Sequence, residues 1–268
     1  MMRAFMSEWT KLMRMPILVG MGAAMVGFAV LFTALFVANA DSETAPEQQP
    51  GQGGPGFPSL ESWAEAEGLR RGFEISAQFM GLVALVFFAG QWAAEYGTGA
   101  LRILLIQEPR RLHLLAGKLS GMGVFVLILL LVAFAAQALV AGSIATFRGL
   151  SLSEWATAGA TWEALLSVMR TWVATLVWGL LGTALAILFR SSPPAIGIGI
   201  AYVILAEPII VLLVEVVRGW LPGQAMAAFA AGGDVSMSMA KASILLVLYA
   251  AAFASAAGIL FSRRDVHN

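Results

Sequence analysis

The chain has 268 residues, of which 59% are hydrophobic and 12% charged, with 16 basic and 16 acidic side chains and a mean hydropathy of +0.83. Soluble domains carry about 25% charge, so this composition leaves too few charges to cover a water-facing surface and excludes an ordinary soluble fold; length predicts a span count instead. Balanced charge argues against a nucleic-acid partner, and the absence of cysteine excludes disulfides, thiolate metal sites and a cysteine nucleophile. His113 and His267 stand far apart in polar surroundings, and no metal site is expected from them.

Residues 1–15 form an amphipathic segment. On a helical wheel Phe5, Trp9, Leu12 and Met13 share one face, while Arg3, Ser7, Lys11 and Arg14 share another. That pattern suits a helix lying in the headgroup plane, basic side to water and aromatics in the acyl boundary. The alternative is a simple N-terminal anchor. Span 1 is expected at 16–40. It ends Ala38-Asn39-Ala40, a sequence like a signal-peptide cleavage site, but its apolar run is longer than the roughly 7–15 residues of a signal core, so a retained span is expected.

Residues 41–58, rich in Pro, Gly and Gln, cannot bury enough apolar surface to fold and read as a mobile external loop, the first part of an external segment at 41–72. Its later part, 59–72, is expected to make a short helix with Trp63 at the membrane interface. Span 2 follows at 73–94, and then the longest cytoplasmic connection, 95–116. It leaves the membrane at Glu95 and Tyr96, turns through Gly97 and Gly99 with Thr98 as N-cap, and runs as a short helix. Leu101, Leu104 and Leu105 fall on one side of it, Arg102 on another. Pro109 should end it near Glu108, and Arg110, Arg111 and Lys118 lead into span 3 at 117–141. A proline-terminated hairpin with one apolar face suits docking in another protein's groove; a basic loop that only sets topology is the plainer alternative.

An external segment at 142–168 carries Trp155 and Trp162, expected at the membrane surface. Span 4 is placed at 169–189 and span 5 at 195–217. Span 5 contains Glu207 followed by Pro208. A carboxylate at mid-bilayer costs about 2.5–3.5 kcal/mol on insertion scales, and Pro208 removes a backbone donor. Three roles stay open for Glu207: a substrate or proton site, an interhelical hydrogen bond, or a position near the outer surface. An external segment at 218–240, span 6 at 241–262 and a cytoplasmic tail at 263–268 complete a single transmembrane domain, 1–268, of all-α class. Gly117/Gly121, Gly179/Thr183 and Gly197/Gly199/Ala201 are expected to let helices approach closely.

Six spans put both termini on one side. With that side inside, ten basic residues lie inside (Arg3, Lys11, Arg14, Arg102, Arg110, Arg111, Lys118, Arg190, Arg263, Arg264) against six outside (Arg70, Arg71, Arg148, Arg170, Arg218, Lys241), which predicts N-in and C-in. No glycine-rich loop with GK[ST] is present, so the chain does not itself hold ATP phosphates; HExxH and GxSxG are absent too.

The order of parts resembles the ABC type-2 permeases, the membrane subunits of many bacterial exporters. The resemblance rests on Ser7-Glu8-Trp9-Thr10-Lys11-Leu12, on Glu95-Tyr96-Gly97-Thr98-Gly99-Ala100-Leu101-Arg102 with Pro109-Arg110-Arg111 and Lys118, on Glu207-Pro208, on Trp220-Leu221-Pro222-Gly223, and on Phe261-Ser262-Arg263-Arg264-Asp265. It implies a multi-pass protein of the bacterial inner membrane, two permease copies per transporter, and a separate ATPase subunit holding ATP and magnesium. The 95–109 connection would be the coupling helix through which that ATPase drives alternating access. No cofactor is then expected in this chain. The Pro/Gly/Gln-rich loop has no counterpart role in that family. A non-transporting scaffold or sensor, and an intramembrane enzyme resting on Glu207 alone, are the other functional classes considered.

Overall fold

The computed structural model describes residues 2–40, 59–107, 110–234 and 236–263. Its helices, in order, are α1 (Met2–Leu12), α2 (Met15–Ala38), α3 (Gly68–Thr98), α4 (Ala100–Gln107), α5 (Arg111–Phe147), α6 (Ala158–Phe189), α7 (Ser192–Ala201), α8 (Glu207–Leu213), α9 (Pro222–Ala231) and α10 (Met239–Arg263). A π turn, Tyr202–Ala206, joins α7 to α8. Among the described residues there is no strand. Six helices are long and apolar enough to cross a membrane: α2, α3, α5, α6, the continuous Ser192–Leu213 unit, and α10.

The spans match the expected order but run longer at several ends. Lipid sets the length of the apolar stretch, not of the helix, and helical ion pairs carry α3 through its polar start. Arg70 lies 3.5 Å from Glu67 and 3.1 Å from Glu74, and Arg71 lies 3.3 Å from Glu67, all at helical i,i+3 or i,i+4 spacing. Likewise α5 begins at Arg111 and continues to Phe147, and α6 begins at Ala158, so little of the expected external segment 142–168 remains outside helix.

Helices α3 and α6 form the centre of the bundle. Their approach is set by glycine: at Gly182 a β-carbon would stand 2.3 Å from the Leu85 carbonyl oxygen, at Gly81 it would meet the Trp178 ring, and at Gly179 the Phe88 ring. Such backbone contact maximises van der Waals packing where lipid supplies no hydrophobic drive. Gly182→Ala should therefore separate α3 from α6 and lower stability by about 1–3 kcal/mol. Gly90→Ala, with open space around it, should be neutral or slightly stabilising; thermal unfolding in detergent of the two variants checks both. The outer spans present Ile198, Ile204, Leu205, Leu212, Ile244, Val247 and Leu248 as exposed apolar side chains, as a lipid-facing surface requires.

Interhelical hydrogen bonds mark two ends. At the end that carries both termini, Arg111 donates from Nη1 to the carbonyls of Phe261 and Ser262, at 3.1 and 3.2 Å. At the other end Arg148 donates to Ala38 O at 2.6 Å, and Gln137 Nε2 donates to Leu69 O at 2.8 Å. Here the expectation for two tryptophans is corrected. Trp63 and Trp155 are buried, not interfacial, and Trp155 Nε1 donates to Trp63 O at 3.0 Å, closing a small apolar cluster with Phe36, Val37 and Ala141. Trp162 is exposed.

The expected external segment 218–240 is also different. It contains α9, whose Pro222, Gly223, Ala225, Met226, Ala228 and Ala230 are buried. Met226 and Ala230 pack with Ala77 and Leu85 of α3, Val177 and Trp178 of α6, and Leu246 of α10. The chain thus turns back into the bundle after α8. A turn back of this kind places polar helix ends inside protein, which is tolerated only if they find partners there.

Candidate functional site

The first polar centre lies at the end that carries both termini. Glu8 sits on the inward face of α1, Glu95 near the end of α3 and Lys118 two turns into α5. Lys118 Nζ reaches Glu8 Oε2 at 2.8 Å and Glu95 Oε1 at 2.5 Å. Lys11 Nζ reaches Glu95 Oε1 at 3.0 Å and Glu8 Oε1 at 3.4 Å. Lys118 also stands over the Trp92 ring, 4.9 Å from its centroid. The Lys118 side chain is 1% exposed and that of Lys11 28%. Two carboxylates and two ammonium groups cancel, so the cluster can be buried; removing one member would strand a charge. It ties α1, α3 and α5 together.

This geometry corrects several expectations. Lys11 points into the cluster and not to water, because Glu8 and Leu12, on either side of it, turn into the bundle. Trp9 packs on the core and Phe5 stacks on it at 6.1 Å, while Arg14 is exposed. Glu95, Tyr96, Gly97 and Thr98 are not a turn but the last residues of α3; Thr98 caps nothing ahead of it and its hydroxyl donates to Ala94 O at 2.8 Å. The chain turns at Gly99 alone, which takes φ +70, a left-handed conformation suited to glycine. On α4 the stripe of Leu101, Leu104 and Leu105 faces the protein's own core: Leu101 is fully buried and the other two pack against it. The exposed side chains of α4 are Arg102, Ile103 and Ile106. The stripe was legible, but its direction was not, since a helical period alone does not say what covers the apolar face. Arg110 is exposed and Arg111 is bound to the end of α10; Pro109 lies outside the described residues.

Two clefts open around this centre. One of about 380 Å³ is lined by Glu95, Tyr96, Thr98, Leu101, Arg102 and Arg190 among others. A second of about 710 Å³ runs between α1, the start of α2, the end of α3 and α4.

The second polar centre is Glu207. It is 2% exposed, in the last third of Ser192–Leu213, directly after the π turn. Its carboxylate accepts the Gly223 N–H at 3.1 Å and the Gln224 N–H at 2.9 Å, at the start of α9. The carboxylate thus meets the unpaired donors and positive dipole of a buried helix N-terminus. At the far end of α9, Gly232 lies against Arg170: a β-carbon there would stand 3.0 Å from Arg170 Nη1. α9 is thus bound at its start by an acid on span 5, and a base on span 4 stands close to its end. Of the three roles open for Glu207, the geometry supplies a hydrogen bond between elements, to a partner that the sequence did not mark as a helix. Pro208 occupies the first turn of α8, where its missing N–H costs little.

Glu8, Lys118 and Arg170 were missed as site residues. A signal was present for two of them: each is a charge that falls on the apolar face or within the apolar run of its own helix. No group of three or more potential metal ligands occurs among the described residues. No curated protein matches the chain. A family model described as a protein of unknown function, DUF2705, matches residues 56–267, a stretch that contains Glu95, Lys118, Arg170 and Glu207 and begins after α2. By that match, which covers most of its length, the chain belongs to the DUF2705 family.

Proposed function

We propose that the chain is the membrane-spanning permease subunit of an ATP-driven ABC type-2 exporter, with both termini on the cytoplasmic face of a bacterial inner membrane. Two copies would enclose a path for a hydrophobic or amphiphilic substrate: a drug, an antibiotic peptide or a lipid-like molecule. A separate ATPase subunit would hold ATP and magnesium, and this chain would carry out no chemistry of its own.

The observation that carries the reading is α4, a short helix projecting between spans 2 and 3 with Ile103 60% and Ile106 81% exposed. In this reading α1 is the interfacial helix and α4 the coupling helix. Its footing supports the role. Leu101 anchors α4 to the core, and three residues before the end of α3 the ion cluster bolts α3 to α1 and α5. A push on α4 would reach α3 across Gly99 alone. From α3 it would pass to α7, where Leu85 packs on Gly199, and to α9 through Leu85 and Met226. Spans 2 and 5 would thus move as one lever.

Ile103→Asp combined with Ile106→Asp should cut recovery of an ABC ATPase subunit with the gently extracted chain by about ten-fold, because it places charge in an apolar contact. Membrane insertion should be unchanged, as both side chains are exposed. If the unaltered protein never associates with an ATPase, the proposal fails. If it associates but ATP drives no efflux from vesicles, a scaffold or sensor that uses the same hairpin is the better reading.

A further inference from the structure

The 710 Å³ cleft between α1 and the α3–α4 hairpin has the chemistry of a lipid headgroup site. Its walls divide by polarity. Ile17, Ile103 and Leu104 supply an apolar side, next to the point where span 1 begins, with Met15 and Val19 exposed beyond it. Lys11, Arg14, Ser7 and Thr10 supply a polar side from α1 and the turn after it.

The electrostatics of the cleft follow from its cluster. Glu8 and Glu95 line it, but Lys118 and Lys11 already meet both carboxylates. Those four charges cancel, and Arg14 remains. Its guanidinium makes no hydrogen bond or ion pair among the described residues and is exposed at the rim. A guanidinium whose fork is unoccupied matches a phosphate in geometry and charge. Positive charge at the rim and an apolar wall continuous with a span together describe an anionic phospholipid.

We infer that this cleft binds the phosphodiester headgroup of an anionic phospholipid, Arg14 meeting the phosphate and Ile17 flanking the acyl chains. The site needs only that this end of the bundle lies at a membrane surface. It stands whether or not the chain transports anything, so its failure and that of the exporter reading are separable.

The test is native mass spectrometry of the full chain released from detergent, titrated with phosphatidylglycerol or phosphatidylcholine, with and without excess inorganic phosphate. Phosphatidylglycerol should be retained about five-fold better than phosphatidylcholine, the effect expected of one cationic contact. Arg14→Gln should abolish that preference with no loss of thermal stability, since Arg14 has no partner to lose among the described residues. Arg110→Gln, which removes an exposed charge at the same end but outside the cleft, should leave it intact. Equal retention of the two lipids overturns the inference, as does a preference that survives Arg14→Gln or one lost equally in Arg110→Gln. Displacement by inorganic phosphate would make the cleft a free-phosphate site and also overturn it.

Discussion

Lys118→Met is expected to destabilise the protein by about 3–5 kcal/mol, the cost of leaving a buried charge without its partner. Lys118 is the only fully buried member of the cluster that touches both carboxylates at 2.8 Å or less. Without it Glu8 and Glu95 face each other, with only the half-exposed Lys11 between them. Methionine fills a similar volume, so the loss reads charge and not a cavity. The first structural consequence should be release of α1, because Glu8 is held to α5 by Lys118 and only the partly exposed Lys11 would then tie α1 to α3. The chain has no cysteine, so a single Leu12→Cys, at a fully buried position of α1, reports this directly. It should resist a water-soluble maleimide in the otherwise unaltered protein and react within the Lys118→Met background. Adding Glu8→Gln to Lys118→Met should restore most of the stability, since Lys11 and Glu95, 3.0 Å apart, then balance and no charge is stranded. A melting temperature unchanged by Lys118→Met, or a double variant no better than the single, would refute the account of the cluster.

Glu207→Ala should cost about 2–4 kcal/mol, because two buried backbone donors at the start of α9 lose a charged acceptor. Glu207→Gln keeps one acceptor oxygen and should cost roughly half as much. The loss should be local: protease or hydrogen exchange should detect α9 opening before the bundle as a whole melts. Arg170→Ala, acting at the opposite end of the same helix, should open the same segment. A transport role for Glu207 predicts a different pattern. Glu207→Gln would then alter transport or its pH dependence while exchange at α9 stayed at the level of the unaltered protein. Measuring both on one preparation separates a cap from a substrate or proton site.

The two centres show how legible the molecule was. Glu95 and Glu207 both stood out in the sequence as acids beside or inside apolar runs, and both are buried as such acids must be if paired. Their partners did not stand out. Lys118 follows Glu95 by 23 residues and Glu8 precedes it by 87, and nothing local couples these positions. The backbone donors that hold Glu207 belong to a segment read as an external connection, because ten residues of Pro, Gly, Gln, Ala, Met and Phe look alike whether they lie on a surface or insert into a bundle. The stripe of Leu101, Leu104 and Leu105 was found with the right spacing and assigned to the wrong side. An apolar face says that something covers it, not whether that something is a partner or the protein itself.

From the sequence alone came the membrane class, the all-helical fold and the six spans in their order. Each follows from a sum over neighbouring residues: the cost of transferring a run of side chains into hydrocarbon, and the requirement that its backbone bond to itself. Only the tertiary structure decided which charges neutralise one another, which tryptophans are core, that α9 returns into the bundle, and that Arg14, beside a cleft, has no partner among the described residues. Those are properties of distance between residues far apart in the chain, and a buried charge reveals through burial that it needs a partner but not where the fold will bring one.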